Sequence, residues 1–542
     1  MRTTPSTDVW QRHQCVQRRW SAARFVMVCW LTIVAAEVGW AAEEDGAASR
    51  PNVVVILADD MGYGDPQCYN ADSKIPTPHL DQLAENGLLF TDAHTPSSVC
   101  TPTRYGLLTG RYCWRTRLTK GVLDGFSPPL IDADRPTIAS FLKSQGYATA
   151  CVGKWHLGMQ WTRQDGSPET LDREARVHRG GENIDCTVPV TGGPLAVGFD
   201  SYFGISASLD MAPLAWMEND RCVPFPDLIY PDARKEMFLT HSPGVGHSEF
   251  RLDEVLPTLK QRTIAWIDTN CAEQPGQPFF LYLPLNSPHL PVAPSQAFLG
   301  KSQAGLYGDF VVETDDFVGG VVATLKQQGQ LENTVLVFTS DNGGLWHMWT
   351  AQEADDVASY KPTPRAQYAD GFGHHSNGTL RGTKADVYEG GHRVPLLMQW
   401  PRVITASRRV DTPVELTDLF ATIADVIGQA LPDAAAPDSF SFAAELGLSR
   451  RSSLQRTTLV HHSLQGVFSI REAGWKYAEA RGSGGFSVPR TVAARPGEAT
   501  GQLYHLETDP QETRNLFLSE PERVVAMQRR LDSIRSSAGM RY

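Results

Sequence analysis

The chain has 542 residues, of which 41% are hydrophobic and 20% are charged, so its composition is that of a globular protein and excludes disordered, collagen-like and coiled-coil classes. Its formal net charge of −12 argues against a general electrostatic grip on nucleic acid or on an anionic membrane surface. An anionic ligand must therefore be bound by a local site.

Residues 1–41 have the pattern of a secretory signal peptide. Five arginines precede an apolar run over 25–36, and Gly39 and Ala41 stand at the −3 and −1 positions of a cleavage site. The alternative is an uncleaved membrane anchor, but Glu37 ends the run well short of the ~20 residues that a span needs. We therefore expect a secreted or periplasmic protein with no stable membrane span.

From residue 52 onward, short apolar runs alternate with amphipathic stretches, which is typical of strand–helix units. The apolar runs lie at 53–57, 148–152, 279–283 and 334–339. The amphipathic stretches with glycine stops lie at 77–87, 137–146 and 309–329. This alternation predicts an α/β domain over residues 50–410, with a large, mainly parallel sheet flanked by helices.

The pattern of predicted helices and strands changes after about residue 410. A helix-like stretch at 414–428 is followed by short strand candidates and a last helix near 521–536. We expect a smaller α+β subdomain over residues 411–542. Two long polar stretches of the larger domain, 159–194 and 345–377, lack periodicity, and loops of that length are usually functional or disordered.

Hard oxygen donors follow the first and the last of the four apolar runs. Asp59 and Asp60 come directly after the first run, and Asp341 and Asn342 follow the fourth. Ligands in open α/β sheets bind at the carboxyl ends of strands, so these side chains are expected to lie close together. Carboxylate and amide oxygens without cysteine or imidazole suit Ca²⁺ or Mg²⁺ rather than Zn²⁺.

Basic side chains follow the two other apolar runs. Lys154 and His156 come after the second run and His289 after the third, and such residues can bind an anion and move protons around it. Each residue alone is more often a turn, a solvated lysine or a structural histidine. Four such strand ends together predict a divalent-cation site beside an anion pocket.

The segment 97–111 narrows the chemistry of this pocket. Pro102 suits the first turn of a helix, so Cys100 is expected at a helix N-terminus, where free N–H groups and the helix dipole favour an anion. The alternative is a small buried cysteine. However, Cys100, Pro102 and Arg104 form Cys-x-Pro-x-Arg, and Leu-Leu-Thr-Gly-Arg follows. Together these form the sulfatase signature, in which the cysteine is oxidised to Cα-formylglycine after translation.

On these motifs the chain, from about residue 52 to residue 516, resembles the type I, arylsulfatase-like sulfatases of the alkaline-phosphatase-like superfamily. The resemblance extends to Glu-Gly-Gly at 389–391 and to the C-terminal segment 503–510. It implies that a calcium ion is held by Asp59, Asp60, Asp341, Asn342 and the formylglycine derived from Cys100.

The same resemblance implies roles for the other site residues. Arg104 and Lys154 would steady the formylglycine, His156 would assist its turnover, and His289 and Lys384 would face the sulfate. A family serine near the formylglycine aligns with Ser208, with Ser206 as its competitor.

The chemistry of sulfate-ester cleavage fits this implied site. A hydrated aldehyde offers two geminal hydroxyls, one to attack sulfur and one to expel the sulfate later. His289 is then the better candidate to protonate the leaving alcohol oxygen, and His156 to deprotonate the second hydroxyl. The implied partners are a sulfated small molecule or carbohydrate and a formylglycine-generating or sulfatase-maturing enzyme, with no nucleic acid.

Two other functions fit parts of the sequence. A phosphodiesterase or phosphonate hydrolase on the same scaffold would bind an ester of similar shape, but a phosphate dianion needs more positive charge or a second metal. A non-catalytic binding protein would keep the pocket and never receive the formylglycine. The mass of the peptide containing Cys100 separates an enzyme from a binding protein.

The sequence leaves the alcohol part of the substrate and the disulfide pairing open. Removal of the signal leaves seven cysteines, an odd number, and six of them remain if Cys100 is modified. We expect the loops 159–194 and 345–377 to flank the pocket and to discriminate among alcohols. The side chains proposed for this are Trp161, Arg163, Arg173, Arg176, His178, Trp346, His347, Trp349, His374 and His375.

Overall fold

The computed structural model describes residues 50–170, 180–233, 241–345, 369–448 and 454–541. The predicted signal peptide, residues 1–41, lies outside these ranges. No helix within them combines the length and the apolar composition needed to cross a membrane.

The described chain alternates strands and helices along most of its length. The strands are β1 (Asn52–Asp59), β2 (Leu88–Phe90), β3 (Ala93–His94), β4 (Ala148–Lys154), β5 (Ser201–Ile205), β6 (Met217–Glu218), β7 (Arg221–Cys222), β8 (Leu228–Tyr230), β9 (Gly244–Gly246), β10 (Phe279–Pro288), β11 (Thr334–Ser340), β12 (Leu396–Gln399), β13 (Arg408–Val410), β14 (Val414–Glu415), β15 (Thr458–His462), β16 (Phe468–Glu472), β17 (Trp475–Ala478) and β18 (Gln502–His505). The α-helices are α1 (Pro78–Glu85), α2 (Cys100–Thr109), α3 (Ile138–Ser144), α4 (Val255–Glu273), α5 (Gly305–Gln327), α6 (Glu389–His392), α7 (Leu419–Val426) and α8 (Pro521–Ser536).

A ten-stranded sheet forms the centre of the fold, in the order β13-β2-β12-β11-β1-β10-β4-β5-β6-β7. The five middle strands, from β11 to β5, run parallel. Antiparallel pairings of β12 and β2 extend the sheet on one side, where β13 then pairs parallel to β2, and antiparallel pairings of β6 and β7 extend it on the other. The four apolar runs found in the sequence are β1, β4, β10 and β11, so the predicted parallel core of the sheet is confirmed.

The sheet is buried on both faces because its central strands carry apolar side chains on both sides. In β1, Val53, Val55 and Leu57 pack into one core, which includes residues of α2, α3 and α7. The alternate residues Val54 and Ile56 pack into the opposite core, which includes residues of α1, α4 and α5. Successive strand side chains point to opposite faces, so this continuous apolar run makes a three-layer α/β/α architecture.

The C-terminal part of the chain forms a second, smaller layer. Strands β15 to β18 make a four-stranded antiparallel sheet in sequential order, and α8 packs on it through Val524, Met527 and Leu531. The predicted small α+β region is therefore present. The position of the domain boundary after residue 410 stays a prediction.

The helix predicted over 414–428 is wrong at its start. Val414 and Glu415 form β14, which pairs with β3, and the helix α7 begins only at Leu419. The turn between them is fixed by side chains: Glu415 N donates to Asp418 Oδ2 at 3.0 Å. Pairing with a distant strand has overridden the local helical pattern.

Candidate active site

The carboxyl ends of the parallel strands bring the predicted oxygen donors together. In the register of the sheet, Ala58 lies opposite Ser340, so Asp59 and Asp60 at the end of β1 adjoin Asp341 at the end of β11. Oxygen atoms of these three carboxylates lie within 4.8 Å of one another, and all three side chains are fully buried. This confirms the predicted convergence of the strand ends.

Arg104 neutralises part of this acidic cluster. It lies one turn after Cys100 on α2, and its Nε and one terminal nitrogen donate to Asp341 Oδ2 at 2.9 and 2.8 Å. The same guanidinium lies 3.4 Å from Asp59 and donates to Lys154 O at 2.8 Å. Among the described residues, Arg104 therefore bonds both to carboxylates and to backbone carbonyls, and its implied role beside the residue at position 100 stays a prediction.

Two lysines complete the charge balance. Lys154 Nζ donates to Asp59 Oδ2 and, at 2.8 Å, to Ser208 Oγ. Lys384 Nζ lies 2.7 and 2.8 Å from the two carboxylate oxygens of Asp60. Three buried cations thus face three buried carboxylates, which is the arrangement that makes such charges tolerable in a protein interior.

The protonation of the carboxylates reflects their unequal neighbours. Burial alone would raise the pKa of Asp59, but Lys154 and the neighbouring cations hold that pKa well below its usual range. Burial and the adjacent Asp59 raise the pKa of Asp341 to about 7. A divalent cation bound beside Asp341 would lower this pKa again and favour the charged carboxylate.

Two oxygen atoms of the cluster point to a ligand beyond the protein. Asp59 Oδ1 and Asn342 Oδ1 are buried without a hydrogen-bond partner among the described residues, although such atoms are nearly always satisfied. The amide nitrogen of Asn342 donates to Asp60 Oδ1 at 2.7 Å, which fixes the amide so that its oxygen is the unpartnered atom. Unpartnered carboxylate and amide oxygens fit a hard cation such as Ca²⁺.

Cys100 is the first residue of α2, as the sequence predicts. Its side chain is 2% exposed, and atoms of Cys100, Asp59 and His289 lie within 4.8 Å of one another. Burial raises the pKa of the thiol to about 11, so the unmodified cysteine is a weak nucleophile here. The position instead offers backbone N–H groups and a cationic surround to a bound anion.

The hydrogen bonds of the two site histidines define their tautomers. His156 Nε2 lies 2.8 Å from Leu123 O, which can only accept, so Nε2 carries the proton and Nδ1 keeps a lone pair. His289 Nδ1 likewise faces Leu290 O, so its Nε2 is the nitrogen free to act, 3.7 Å from Asp60 Oδ2. Burial lowers the pKa of both rings. Each is therefore neutral at neutral pH.

The structure separates the two candidate serines. Ser208 Oγ lies 2.8 Å from Lys154 Nζ and 3.2 Å from His289 Nδ1. Ser206 Oγ is buried without a partner among the described residues. Ser208 is the serine that the fold brings to the cationic pocket.

Several residues expected to recognise the alcohol have other roles. His374 is 1% exposed and its Nε2 lies 2.8 Å from Asp65 Oδ1, while Trp161 is 1% exposed and packs edge-on against Phe126. The predicted substrate contacts are therefore wrong for these two residues. Arg163 is half-buried and His375 is exposed. Six further candidates lie outside the described residues, namely Arg173, Arg176, His178, Trp346, His347 and Trp349.

Sequence reasoning missed a cluster of three buried histidines away from the carboxylates, formed by His94, His392 and His461. The rings of His392 and His461 stack with centroids 3.8 Å apart and planes 11° apart. A metal must lie near the plane of each imidazole that binds it, so two stacked parallel rings cannot share an ion in this arrangement. His392 instead receives a hydrogen bond from Lys476 Nζ at 2.9 Å and contacts His94 Nδ1 at 3.0 Å. The cluster links β3 to the C-terminal sheet.

Comparison with known proteins decides the family. The sulfatase family model matches residues 51–429. The chain belongs to the sulfatase family. It is 32% identical to an N-acetylgalactosamine-6-O-sulfatase of Bacteroides thetaiotaomicron, over 90% of this chain and 94% of that protein. It is also 32% identical to human arylsulfatase A, over 87% of this chain and 84% of that protein.

A solved structure agrees with this assignment. A sulfatase from work on glycosaminoglycan metabolism by Bacteroides thetaiotaomicron superimposes with a TM-score of 0.72 at 28% identity, covering 90% of this chain and all of that one. The predicted family and fold are therefore confirmed, and this sulfatase is an enzyme that hydrolyses sulfate esters.

The buried charge balance of the sulfatase generates a stability prediction. Replacement Arg104→Met removes the cation between Asp59 and Asp341, so the free energy of unfolding should fall by about 3–5 kcal/mol, as for other broken buried ion pairs. Chemical denaturation measures this loss. The control is Lys143→Met, whose half-exposed pair with Asp200 should contribute less than about 1 kcal/mol. Equal losses in the two variants would contradict a structural role for the buried pair.

Proposed function

We propose that this sulfatase removes sulfate from a sulfated carbohydrate, with Cys100 converted to Cα-formylglycine and a calcium ion bound beside it. The observation that carries the proposal is that Cys100 lies at a helix N-terminus within 4.8 Å of Asp59 and His289, next to unpartnered oxygens of Asp59 and Asn342. The sulfatase signature around Cys100 supports the modification.

The metal-binding residues would be Asp59, Asp60, Asp341 and Asn342. When bound, Ca²⁺ would supply positive charge that polarises a sulfate oxygen. The protein's part is to hold four oxygen donors at two adjoining strand ends and to fix the amide of Asn342 through its bond to Asp60. Fixed donors do not have to reorganise during the reaction.

The nucleophile would come from position 100. Formylglycine in its hydrated form would supply the hydroxyl that attacks sulfur and a second hydroxyl for release. Lys154, Lys384 and the N-terminal N–H groups of α2 surround this position with positive charge, which offsets the charge on the equatorial oxygens of the sulfate.

Proton transfers fall to the two histidines. His156 keeps a lone pair on Nδ1, so it can accept a proton, and its hydrogen bond to Leu123 O holds the ring. His289 holds one proton on Nδ1, so it must take up a second on Nε2 before it can donate to the leaving alcohol. A bound sulfate ester is anionic and raises the pKa of an adjacent imidazole, which favours this charged form.

The proposed substrate follows the relatives. The bacterial relative of 32% identity is named for the 6-sulfate of N-acetylgalactosamine, so we assign this chain to sulfated amino sugars. The signal-like pattern of residues 1–41 supports export of the chain to a compartment outside the cytoplasm, where sulfated carbohydrates occur. Modification of position 100 would require a sulfatase-maturing enzyme as a partner.

Activity should depend on the modification of Cys100. The variant Cys100→Ala should fold, because alanine fits the buried first turn of a helix, and should lose sulfate release. Thermal melting checks the fold, inorganic sulfate release checks activity, and the mass of the peptide containing residue 100 in the active wild type checks the modification. Near-wild-type turnover by the variant would overturn the mechanism.

The oxygen cluster should bind one divalent ion. Chelation should abolish activity, and Ca²⁺ should restore it. Asn342→Leu replaces a metal-binding amide by an apolar side chain of similar size, so it should raise the calcium dissociation constant by about 10–100-fold. Titration calorimetry measures the dissociation constant. Stoichiometric zinc bound through His347, His374 and His375, with no calcium bound by the oxygen cluster, would show that the wrong residues were chosen.

A substrate panel tests the proposed function directly. N-acetylgalactosamine 6-sulfate should have a higher kcat/KM than 4-nitrophenyl sulfate, because a sugar can contact the polar residues around the sulfate pocket. Phosphonate esters and phosphodiesters should be poor substrates. Hydrolysis of these phosphorus esters without hydrolysis of any sulfate ester would refute the proposal.

A further inference from the structure

We propose that Asp65, Tyr307 and His374 are positioning residues that set the calcium affinity of this sulfatase without touching the ion. The inference rests on the proposed function, since it concerns the metal site assigned there. We use the name brace for these three side chains, the backbone of residues 374–377 and the side chain of Asn377.

The brace begins at Asp65, at the far end of the loop that follows β1. Both its carboxylate oxygens are used: Oδ1 faces His374 Nε2 at 2.8 Å, and Oδ2 accepts from Gly62 N at 2.7 Å and from the hydroxyl of Tyr307. The side chains of Asp65 and His374 are fully buried. A buried carboxylate with this many donors is held in one position.

The tautomer of His374 follows from its second contact. Lys74 N donates to His374 Nδ1 at 3.3 Å, so Nδ1 is an acceptor and the proton resides on Nε2, where it is donated to Asp65. His374 is thus a fixed strut between Asp65 and the backbone at residue 74. It has no ring nitrogen left for a substrate or a metal.

Tyr307 connects the brace to a metal-binding residue. Its hydroxyl donates to Asp65 and lies 3.2 Å from the backbone oxygen of Asp60. Asp60 has a φ of 68°, in the left-handed region that few residues other than glycine, asparagine and aspartate adopt. Tyr307 contacts the backbone of this residue directly, and the bond from Gly62 N to Asp65 fixes the turn that follows it.

Residues 376 and 377 join this loop to the second metal-binding loop. Ser376 O accepts from Gly64 N at 2.6 Å, while the side chain of Asn377 accepts from Gly344 N at 2.8 Å and donates to Gly344 O at 2.9 Å. A Cβ at Gly62 would lie 2.0 Å from Ser376 O, so glycine is required there for the backbones to approach.

The brace therefore spans the two loops that carry the four metal-binding side chains. Asp59 and Asp60 repel Asp341 at these distances. The loops that carry these three residues must therefore be held together by the hydrogen bonds of the brace as well as by the three cations. A preformed spacing of the oxygen donors lowers the free energy needed to bind the ion. Loosening the brace should weaken calcium binding more than it weakens the fold.

The test compares variants that change one brace side chain each. Tyr307→Phe and His374→Leu should raise the calcium dissociation constant about tenfold, as loss of outer contacts does at other metal sites. His374→Gln keeps an N–H donor toward Asp65 and should show a smaller rise. At saturating calcium, kcat should return close to the wild-type value, because none of these side chains contacts the substrate in the proposed mechanism.

Matched controls separate positioning from general destabilisation. Tyr69→Phe removes a hydroxyl that contacts Leu396 O at 2.8 Å, and Asp315→Asn perturbs a buried carboxylate that accepts from Leu80 N at 2.8 Å. Both should lower the melting temperature and leave the calcium dissociation constant unchanged. If His374→Leu fails to fold, the calcium dissociation constants of Tyr307→Phe and Tyr69→Phe are compared, because each of these variants removes only one oxygen atom.

The outcomes distinguish this inference from the proposed function. Wild-type affinity in Tyr307→Phe and in His374→Leu would overturn the brace alone. A wild-type chain that binds no calcium would overturn both the metal site and the brace. Weaker calcium binding in the variants of a chain that hydrolyses no sulfate ester would support the brace and overturn the proposed reaction.

Discussion

The repulsion among Asp59, Asp60 and Asp341 is the constraint on which the rest of the site depends. Three carboxylates within 4.8 Å of one another, away from water, are unstable unless cations are fixed beside them. The fold meets this need from three separate chain positions: Arg104 on α2, Lys154 at the end of β4 and Lys384 before α6. Each cation contacts a different carboxylate most closely.

The same charges are suited to catalysis because they are arranged before a substrate binds. A sulfate ester bound as proposed would bring negative charge toward α2, and Lys154 and Lys384, which balance the carboxylates, also act on this position. The brace adds no cation to this balance, since His374 is neutral and Asn377 bonds only to backbone. Its one carboxylate, Asp65, is held by hydrogen bonds from His374, Gly62 N and Tyr307.

The sequence predicted the parts of the site that are set by local patterns. Apolar runs located β1, β4, β10 and β11, and the polar residues after them located most of the cluster, because strand ends in a parallel sheet share one edge. The signature located Cys100 at the start of α2. These signals are contained within about ten residues each, so they can be read without knowledge of the fold.

Contacts between distant segments could not be read in this way. His374 and Asp65 are separated by 309 positions, and nothing near either residue indicates the other. His374 was therefore assigned to the substrate on the grounds that it lies in a long polar loop. Arg104 bonds to Asp341, which is 237 positions away, and no local pattern near either residue indicates this contact. The start of the helix at 414 failed for the same reason, because β3 supplies the competing partner.

The burial of Cys100 also constrains how the proposed modification can take place. In the folded chain the side chain is 2% exposed, and every residue of α2 is buried. Thr101 Oγ1 donates to His156 O at 3.1 Å, and Arg104 donates to Asp341 and to Lys154 O, so these bonds hold α2 against the strand ends. An enzyme that modifies Cys100, as proposed, would need an access to this side chain that the folded arrangement does not give. The contacts that place position 100 beside the charged cluster are thus the same contacts that shield it.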